Sequence, residues 1–296
     1  MLWQNEPTVV VGKHQNTLAE VNLDFIEENN IKIARRLSGG GTVFHDAGNI
    51  NFTYIIEGEE GKMVDFGKYT KNIAEALNRL GIPAESNKRH DLIIEGKKIS
   101  GNAEHIFKRR VLHHGTLLFN TDLELLEKAI TPKFGKYKDK AVQSIRSKVC
   151  NIQPYLEKLM NLEDFKNYLL DFLFQKSSGT EMKTLNSGEF QKVVSLSEQK
   201  YSKWEWIFGY SPYYEIKNQM NSQKGMLNIK LAVRKGEIID SQIDGNMFDM
   251  KEIIQINQGM VGLKHQKDVI HSFLEKHFDF KNSKGIDWQS FINHLF

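Results

Sequence analysis

The chain has 296 residues, 40% hydrophobic and 26% charged, and its 40 Lys and Arg against 37 Asp and Glu leave a net charge of +3. This composition excludes global disorder, five prolines and 22 glycines exclude a collagen-like chain, and the length suggests about two domains. No apolar run reaches the roughly 18–20 residues of a membrane span, the charge is too weak to argue for a nucleic-acid or membrane partner, and a single cysteine, Cys150, excludes a disulfide framework and fits a reducing compartment.

A soluble, cytosolic, two-part protein is therefore expected. Met1-Leu-Trp-Gln-Asn-Glu-Pro7 is neither basic nor followed by an apolar core, so it does not read as a signal or transit peptide. Thr8 to Val11, stopped by Gly12, reads as a short buried strand. Thr17 with Glu20 forms a capping-box pattern, and Leu18, Val21, Phe25 and Ile26 at helical spacing predict a helix over 17–30. Ile31–Arg36 alternates like a strand and runs into Ser38-Gly-Gly-Gly41, after which Thr42–His45 and Asn51–Ile56 look extended.

A helix over 68–80 ends at Gly81, a good C′ residue. Asp91–Ile94 and Lys98–Ser100 flank Glu95-Gly-Lys97 as a hairpin, and a second hairpin turns at Phe107–Arg110 into a return strand, Val111–Phe119. Thr121 or Asp122 caps a helix over 122–130, and a lysine-rich loop covers 131–141. Helices follow over 161–175 and 187–200, and the aromatic stretch Trp204–Pro212 reads as an interdomain connector. Gly225–Val233 and Glu237–Ile243 bracket a turn at Arg234-Lys-Gly236, and helices over 248–257, 265–277 and 287–295 finish the chain. Hairpins mixed with helices predict an α+β fold.

Three consecutive glycines between apolar strands serve conformation and close approach, not packing. Exposed N–H groups beside Arg35 and Arg36 suit a phosphate or carboxylate, although a wide turn with solvated arginines has the same local sequence. No Gly-Lys-Ser/Thr follows, so this is not a Walker A loop. In Gly96-Lys-Lys-Ile-Ser-Gly-Asn102 a lysine beside a small Ser-Gly pair can act as a fixed cation, or be an ordinary hairpin lysine. Lys97 and Lys98 alternate faces if extended, so one of them points inward. His113 and His114 likewise point opposite ways and cannot jointly chelate a metal. Six basic residues (Lys133, Lys136, Lys138, Lys140, Arg146 and Lys148) face one acid, Asp139, between 133 and 148. They suit a loop closing over a polyphosphate, or a solvated face.

The order of these motifs is more specific than any one of them. Arg-Arg-x-Ser-Gly-Gly-Gly-x-Val-Phe-His-Asp-x-Gly-Asn-x-Asn at 35–51, Lys-Ile-Ser-Gly-Asn-Ala at 98–103, His-His-Gly-Thr-Leu-Leu at 113–118, Ser-Ile-Arg-Ser-Lys-Val at 144–149 and Trp-Glu-Trp-x-Phe-Gly-x-Ser-Pro at 204–212 together resemble the lipoate–protein ligase A family over nearly the whole chain. The resemblance implies a mixed-sheet, biotin/lipoyl-ligase-like catalytic domain over 1–203, a linker at 204–212 and a small α+β accessory domain over 213–296. Family members carry a strand and a helix ahead of the segment with which this chain opens.

The resemblance implies activation of lipoate by ATP, with Mg²⁺ accompanying the nucleotide, to lipoyl-AMP. The lipoyl group then passes to a lysine of an apo lipoyl domain, in 2-oxo-acid dehydrogenase complexes or the glycine-cleavage H protein. It places the essential lysine at Lys98, the adenylate contacts at Arg36, Gly41, Thr42, Val43, Phe44 and Lys98, and lipoate contacts at Ser38, Gly39, Gly40, His45 and His114. It assigns no protein metal ligands and no nucleic-acid or membrane partner, and implies a cytoplasmic monomer. Two other functions fit less of the sequence: an octanoyl or lipoyl transferase using Cys150 as a thioester nucleophile, and a non-catalytic paralogue that binds lipoyl domains.

Overall fold

The computed structural model describes residues 1–58, 63–132, 136–176, 181–278, 280 and 286–296. The first elements are β1 (Leu2–Trp3), β2 (Thr8–Val11), α1 (Thr17–Glu20), α2 (Leu23–Glu28), β3 (Lys32–Arg35), β4 (Val43–His45) and β5 (Asn49–Glu57). Next come α3 (Phe66–Arg79), β6 (Ala84–Ser86), β7 (Leu92–Ile94), β8 (Lys97–Ser100), β9 (Asn102–Phe107), β10 (Arg110–Leu118) and α4 (Leu123–Ala129). The chain continues through β11 (Lys136–Asp139), α5 (Leu162–Gln175), α6 (Ser187–Leu196), β12 (Tyr214–Ser222), β13 (Gly225–Arg234) and β14 (Glu237–Gly245). It ends with α7 (Met250–Met260), α8 (Lys267–His277) and α9 (Trp288–Asn293).

These elements form two compact units, one of residues 1–13, 24–130 and 144–198, the other of 14–23, 131–143 and 199–296. In the first unit the strands form three sheets, ordered β1-β5-β10-β9, β3-β2-β4 and β6-β7-β8. The pairing of β2 is parallel to β3 and antiparallel to β4, which makes that sheet mixed. Its core gathers Ile50 and Phe52 of β5, Ile73 and Leu77 of α3, Leu92 and Ile94 of β7, Ile99 of β8, and Phe165 and Leu169 of α5. The helix α5 is pinned there by Phe165 stacking on Phe119 at 4.6 Å and by the Tyr168 hydroxyl donating to Ala76 O at 2.8 Å. The second unit is an antiparallel sheet, β11-β12-β13-β14, whose core includes Ile216, Leu231 and Ile243 with Ile256, Ile270 and Phe291 from its helices.

Two of the three hairpin signals are realised as two-residue turns with positive φ at each position, Glu95-Gly96 (51° and 75°) and Lys235-Gly236 (51° and 78°), and the third turns at Lys108-Arg109 with positive φ at Lys108 alone (54°). Two expectations are corrected. The helix over 17–30 is broken into α1 and α2, with Val21 extended at φ −126° and ψ 151°. Thr17 does not cap it: its hydroxyl donates to Ile207 O at 2.7 Å, a bond within the second unit that takes it away from any capping box. The lysine-rich segment is not one loop, because Lys136–Asp139 pairs with Tyr214–Lys217 as an edge strand. Lys133 lies outside the described residues.

A glycine is obligatory in the middle of β10. A Cβ on Gly115 would fall 2.2 Å from Asn102 Oδ1 and 2.5 Å from the Phe52 ring. Gly115→Ala is expected to destabilise the protein by about 1–3 kcal/mol through overpacking, read as a lowered urea midpoint; an unchanged midpoint would contradict this packing.

Candidate active site

The site begins with Arg36, the residue after β3, whose guanidinium is spent on the glycine loop. Its Nη2 donates to Gly39 O at 2.7 Å and Gly41 O at 2.6 Å, Nη1 to Val10 O at 2.9 Å, and Nε to Ser38 Oγ at 3.1 Å. Burial pushes its pKa down to about 10, so it stays charged at neutral pH. One fork thus holds three carbonyls and a hydroxyl, and the loop turns through Gly40 at φ +88° to accommodate it. Arg35 is also buried and gives its Nη1 to Gly12 O and Lys13 O, both at 3.0 Å. The arginines are therefore not the solvated pair of a simple wide turn, because both donate to backbone carbonyls.

Ser38 Oγ also meets His114 Nε2, at 2.5 Å. Burial, then the Arg36 charge, lowers the His114 pKa to about 4. Burial, then Arg36 and His114, lowers that of His45 to about 3. Both imidazoles are therefore neutral. His45 contacts Asn5 Nδ2 at 3.2 Å and the edge of Trp3 at 5.7 Å, which places it behind the loop. His113 faces the opposite side of β10, where its Nδ1 meets Glu104 Oε1 at 2.9 Å and its ring stacks on Tyr69 at 4.4 Å.

Beside the loop lies a cavity of about 700 Å³. Thr42, Val43 and Phe44 line it together with Lys97, Lys98, Ser100 and Gly101 of the β8–β9 segment and Thr116 of β10. Its apolar lining adds Leu118, Leu123, Leu126 and Ile130, and the segment 144–149 supplies Ser144 to Val149. Ser144 Oγ accepts the Thr42 N–H at 2.8 Å, so this segment touches the glycine loop directly.

Lys98 is fixed from backbone and side chain. Its N–H donates to Lys148 O at 2.8 Å and its carbonyl accepts the Cys150 N–H at 3.1 Å. A register shift in the β7–β8 pairing leaves Ile99 as an extra residue between Lys98 and Ser100, a bulge that re-aims the lysine. The ammonium lies 2.9 Å from Asp91 Oδ1. A Cβ on Gly101 would stand 3.2 Å from Lys98 Nζ, so this glycine leaves room for the side chain. Lys98 is half-buried, whereas Lys97 is exposed at the cavity edge.

The structure therefore gathers Thr42, Val43, Phe44 and Lys98 around one cavity, with Gly41 against Ser144, and sets half-buried Arg36 and His114 with buried Ser38 and His45 outside that lining. The sequence reading missed Asp91 as the partner of Lys98 and α4 as an apolar wall. Asp91 opens the predicted strand Asp91–Ile94, but nothing in its spacing says that the chain folds it back onto Lys98.

A charged lysine and a glycine-loop strand at one cavity with an apolar wall suit a ligase that activates an apolar acid by adenylation. The comparisons with known proteins narrow this class. Residues 1–174 match the family model of the lipoyl protein ligase A/B catalytic domain, and 211–295 that of the bacterial lipoate protein ligase C-terminus. The chain is 35% identical over 277 residues to lipoate-protein ligase LplJ of Bacillus subtilis, covering 93% of this chain and 84% of that protein. It is equally similar to lipoate–protein ligase 1 of Staphylococcus aureus, 35% over 277 residues, 94% of this chain and 84% of that protein. Among solved structures it resembles P. falciparum LipL1 in complex with lipoate, with TM-score 0.57, 26% identity, and coverage of 99% of this chain and 85% of that one. The chain belongs to the lipoate–protein ligase family.

The low pKa values of His45 and His114, together with those of His113 and His265, which burial lowers to about 4, make stability depend on pH. The unfolded chain takes up protons below the ordinary histidine value of 6.5, while folded His45 and His114 resist until about 3 and 4. Their contribution is whole above pH 6.5 and is lost as pH falls toward those folded values. The thermal midpoint is expected to drop between about pH 7 and about pH 5, and His114→Gln to flatten the drop. An identical slope in that variant would contradict the assignment.

Proposed function

We propose that the cavity beside Thr42–Phe44 and Lys98 binds ATP and lipoate, forms lipoyl-AMP, and hands the lipoyl group to a lysine of a lipoyl domain. The observation that carries this is the placement of the Lys98 ammonium, braced by Asp91, in the lining of the same cavity as the strand that leaves the glycine loop.

Adenylation is an in-line attack of a lipoate carboxylate oxygen on the α-phosphorus, with loss of pyrophosphate. Two anions must approach, and a fixed cation offsets their repulsion where the charge develops. Lys98 supplies that cation. In the second step the acceptor amine attacks the acyl carbon of the mixed anhydride, its proton is lost, and AMP leaves; Lys98 then steadies charge on the phosphate.

Thr42, Val43 and Phe44 lie along the adenylate, and Gly41 gives it close approach. Ser38 and the neutral His114 satisfy one another and, like Gly39 and Gly40, are absent from the lining of this cavity; their contact with the lipoyl chain is carried by the family resemblance alone. Arg36 acts through the loop it shapes, and His45 supports it from behind. Among the described residues no three His, Cys, Asp or Glu side chains gather as a metal cage. Mg²⁺ would enter with the nucleotide phosphates, keeping its own waters, and no step is assigned to it. The acceptors fitting this chemistry are apo lipoyl domains of 2-oxo-acid dehydrogenase complexes or the glycine-cleavage H protein, met by a cytoplasmic monomer. Among the described residues no helix is long and apolar enough to cross a membrane.

The thioester alternative fits the geometry poorly. Burial raises the Cys150 thiol pKa, opposite to what a nucleophile needs, and Cys150 does not line the cavity. Lipoate-dependent ATP–pyrophosphate exchange is expected to fall on the order of a hundredfold or more in Lys98→Ala and to persist in Cys150→Ala. The reverse pattern would favour the transferase, and no exchange in the unaltered protein would favour a binding module.

A further inference from the structure

We propose that Asp46 and Asn151, neither of which lines the cavity, are positioning residues that set its shape by fixing the first turn of α4 from two sides. The inference rests on reading the cavity as the lipoate and ATP site. Helix α4 and the residue after it bring Leu123, Leu126, Glu127 and Ile130 into the lining, so a shift of this short helix moves one whole wall.

Asp46 follows β4, the strand whose Val43 and Phe44 line the cavity. Its buried carboxylate is divided between two loops: Oδ1 accepts the Gly48 N–H at 2.9 Å and Oδ2 the Asp122 N–H at 2.8 Å. Asp122 is the N-cap of α4, its own side chain accepting the Leu125 N–H at 2.9 Å. The two loops clasp, since Phe119 and Asn120 both donate to Gly48 O, at 3.1 and 2.9 Å. A Cβ on Gly48 would fall 2.0 Å from Asn120 O, so glycine is required for the clasp.

The second hold is one residue earlier in the same turn. Asn151 accepts the Thr121 N–H at 3.0 Å and donates to Thr121 O at 2.9 Å. Asn151 follows Cys150, whose N–H is bonded to the carbonyl of Lys98, and so ends the segment that carries Ser144 to Val149 along the cavity. One carboxylate thus ties α4 to the glycine-loop strand, and one amide ties it to the segment stitched to Lys98. The three parts of the lining meet through the backbone of Thr121 and Asp122.

The test uses Asp46→Asn, which keeps an acceptor for Gly48 but turns an amide donor toward the Asp122 N–H, and Asn151→Ala, which removes both bonds to Thr121. Lipoate-dependent ATP–pyrophosphate exchange is measured at varied lipoate and ATP, with deuterium uptake across 122–130 in the same proteins. KM for lipoate, ATP or both is expected to rise on the order of tenfold in each variant, with kcat within about threefold, and uptake in α4 to quicken. An unchanged KM with a lower kcat and thermal midpoint would mean a purely structural role and overturn the proposal. If the unaltered protein shows no exchange reaction, the functional reading fails instead, and uptake alone judges the clamp: quickened uptake in both variants upholds it, unaltered uptake overturns it.

Discussion

The guanidinium of Arg36 inside the glycine loop is the interaction on which the site depends. Carbonyls of Gly39, Gly41 and Val10 converge on one cation, an arrangement that a Cβ on Gly40, 3.2 Å from Arg36 Nη2, would crowd. Such charge-assisted bonds are stronger than neutral ones, and removing the cation would leave buried acceptors unpaired. With the carbonyls gathered inward, the strand that leaves the loop presents Thr42 to Phe44 to the cavity. Arginine here works as an internal template, and in the proposed reaction lysine is the cation at the ligand, a division suited to their chemistries. The planar fork matches several fixed acceptors, whereas the ammonium is a compact point charge.

Lys98 is prepared by a different device. Its backbone is paired with Lys148 and Cys150, its direction is set by a bulge, and its charge is balanced by Asp91. Ground-state placement of this kind removes reorganisation from the chemical step. The same backbone pairing couples Lys98 to the segment whose Ser144 bonds the glycine loop, so the cation, the loop and the wall form one bonded assembly.

Much of this was legible in the sequence because the signals are local. Asn and Gly punctuation, alternation, and the Glu95-Gly96 turn fixed the strands and hairpins, and strand alternation correctly separated His113 from His114 onto opposite faces. The order of motifs carried the family and the activity. What stayed hidden was tertiary. A run of Leu18, Val21, Phe25 and Ile26 has helical spacing, yet Thr17 finds its partner at Ile207, 190 residues away, and the helix breaks at Val21. Charge at 131–141 suggested a loop, but pairing with β12 overrides composition for Lys136–Asp139. The sequence shows the charge of Arg36 without showing that carbonyls of its own loop surround it. Asp46 stood in the motif at 35–51 without a role of its own and Asn151 gave no signal, since their importance lies in which backbone N–H groups they reach.

The most direct test of the account is a crystal structure with a non-hydrolysable lipoyl-sulfamoyl adenylate, in which the sulfamoyl group marks where the phosphate would sit. The account places that group within hydrogen-bonding distance of Lys98 Nζ and beside Thr42–Phe44, with Arg36 still bonded to its loop carbonyls. A sulfamoyl group bound away from both Lys98 and the glycine-loop strand, or an Arg36 that leaves its carbonyls to contact the analogue, would contradict it.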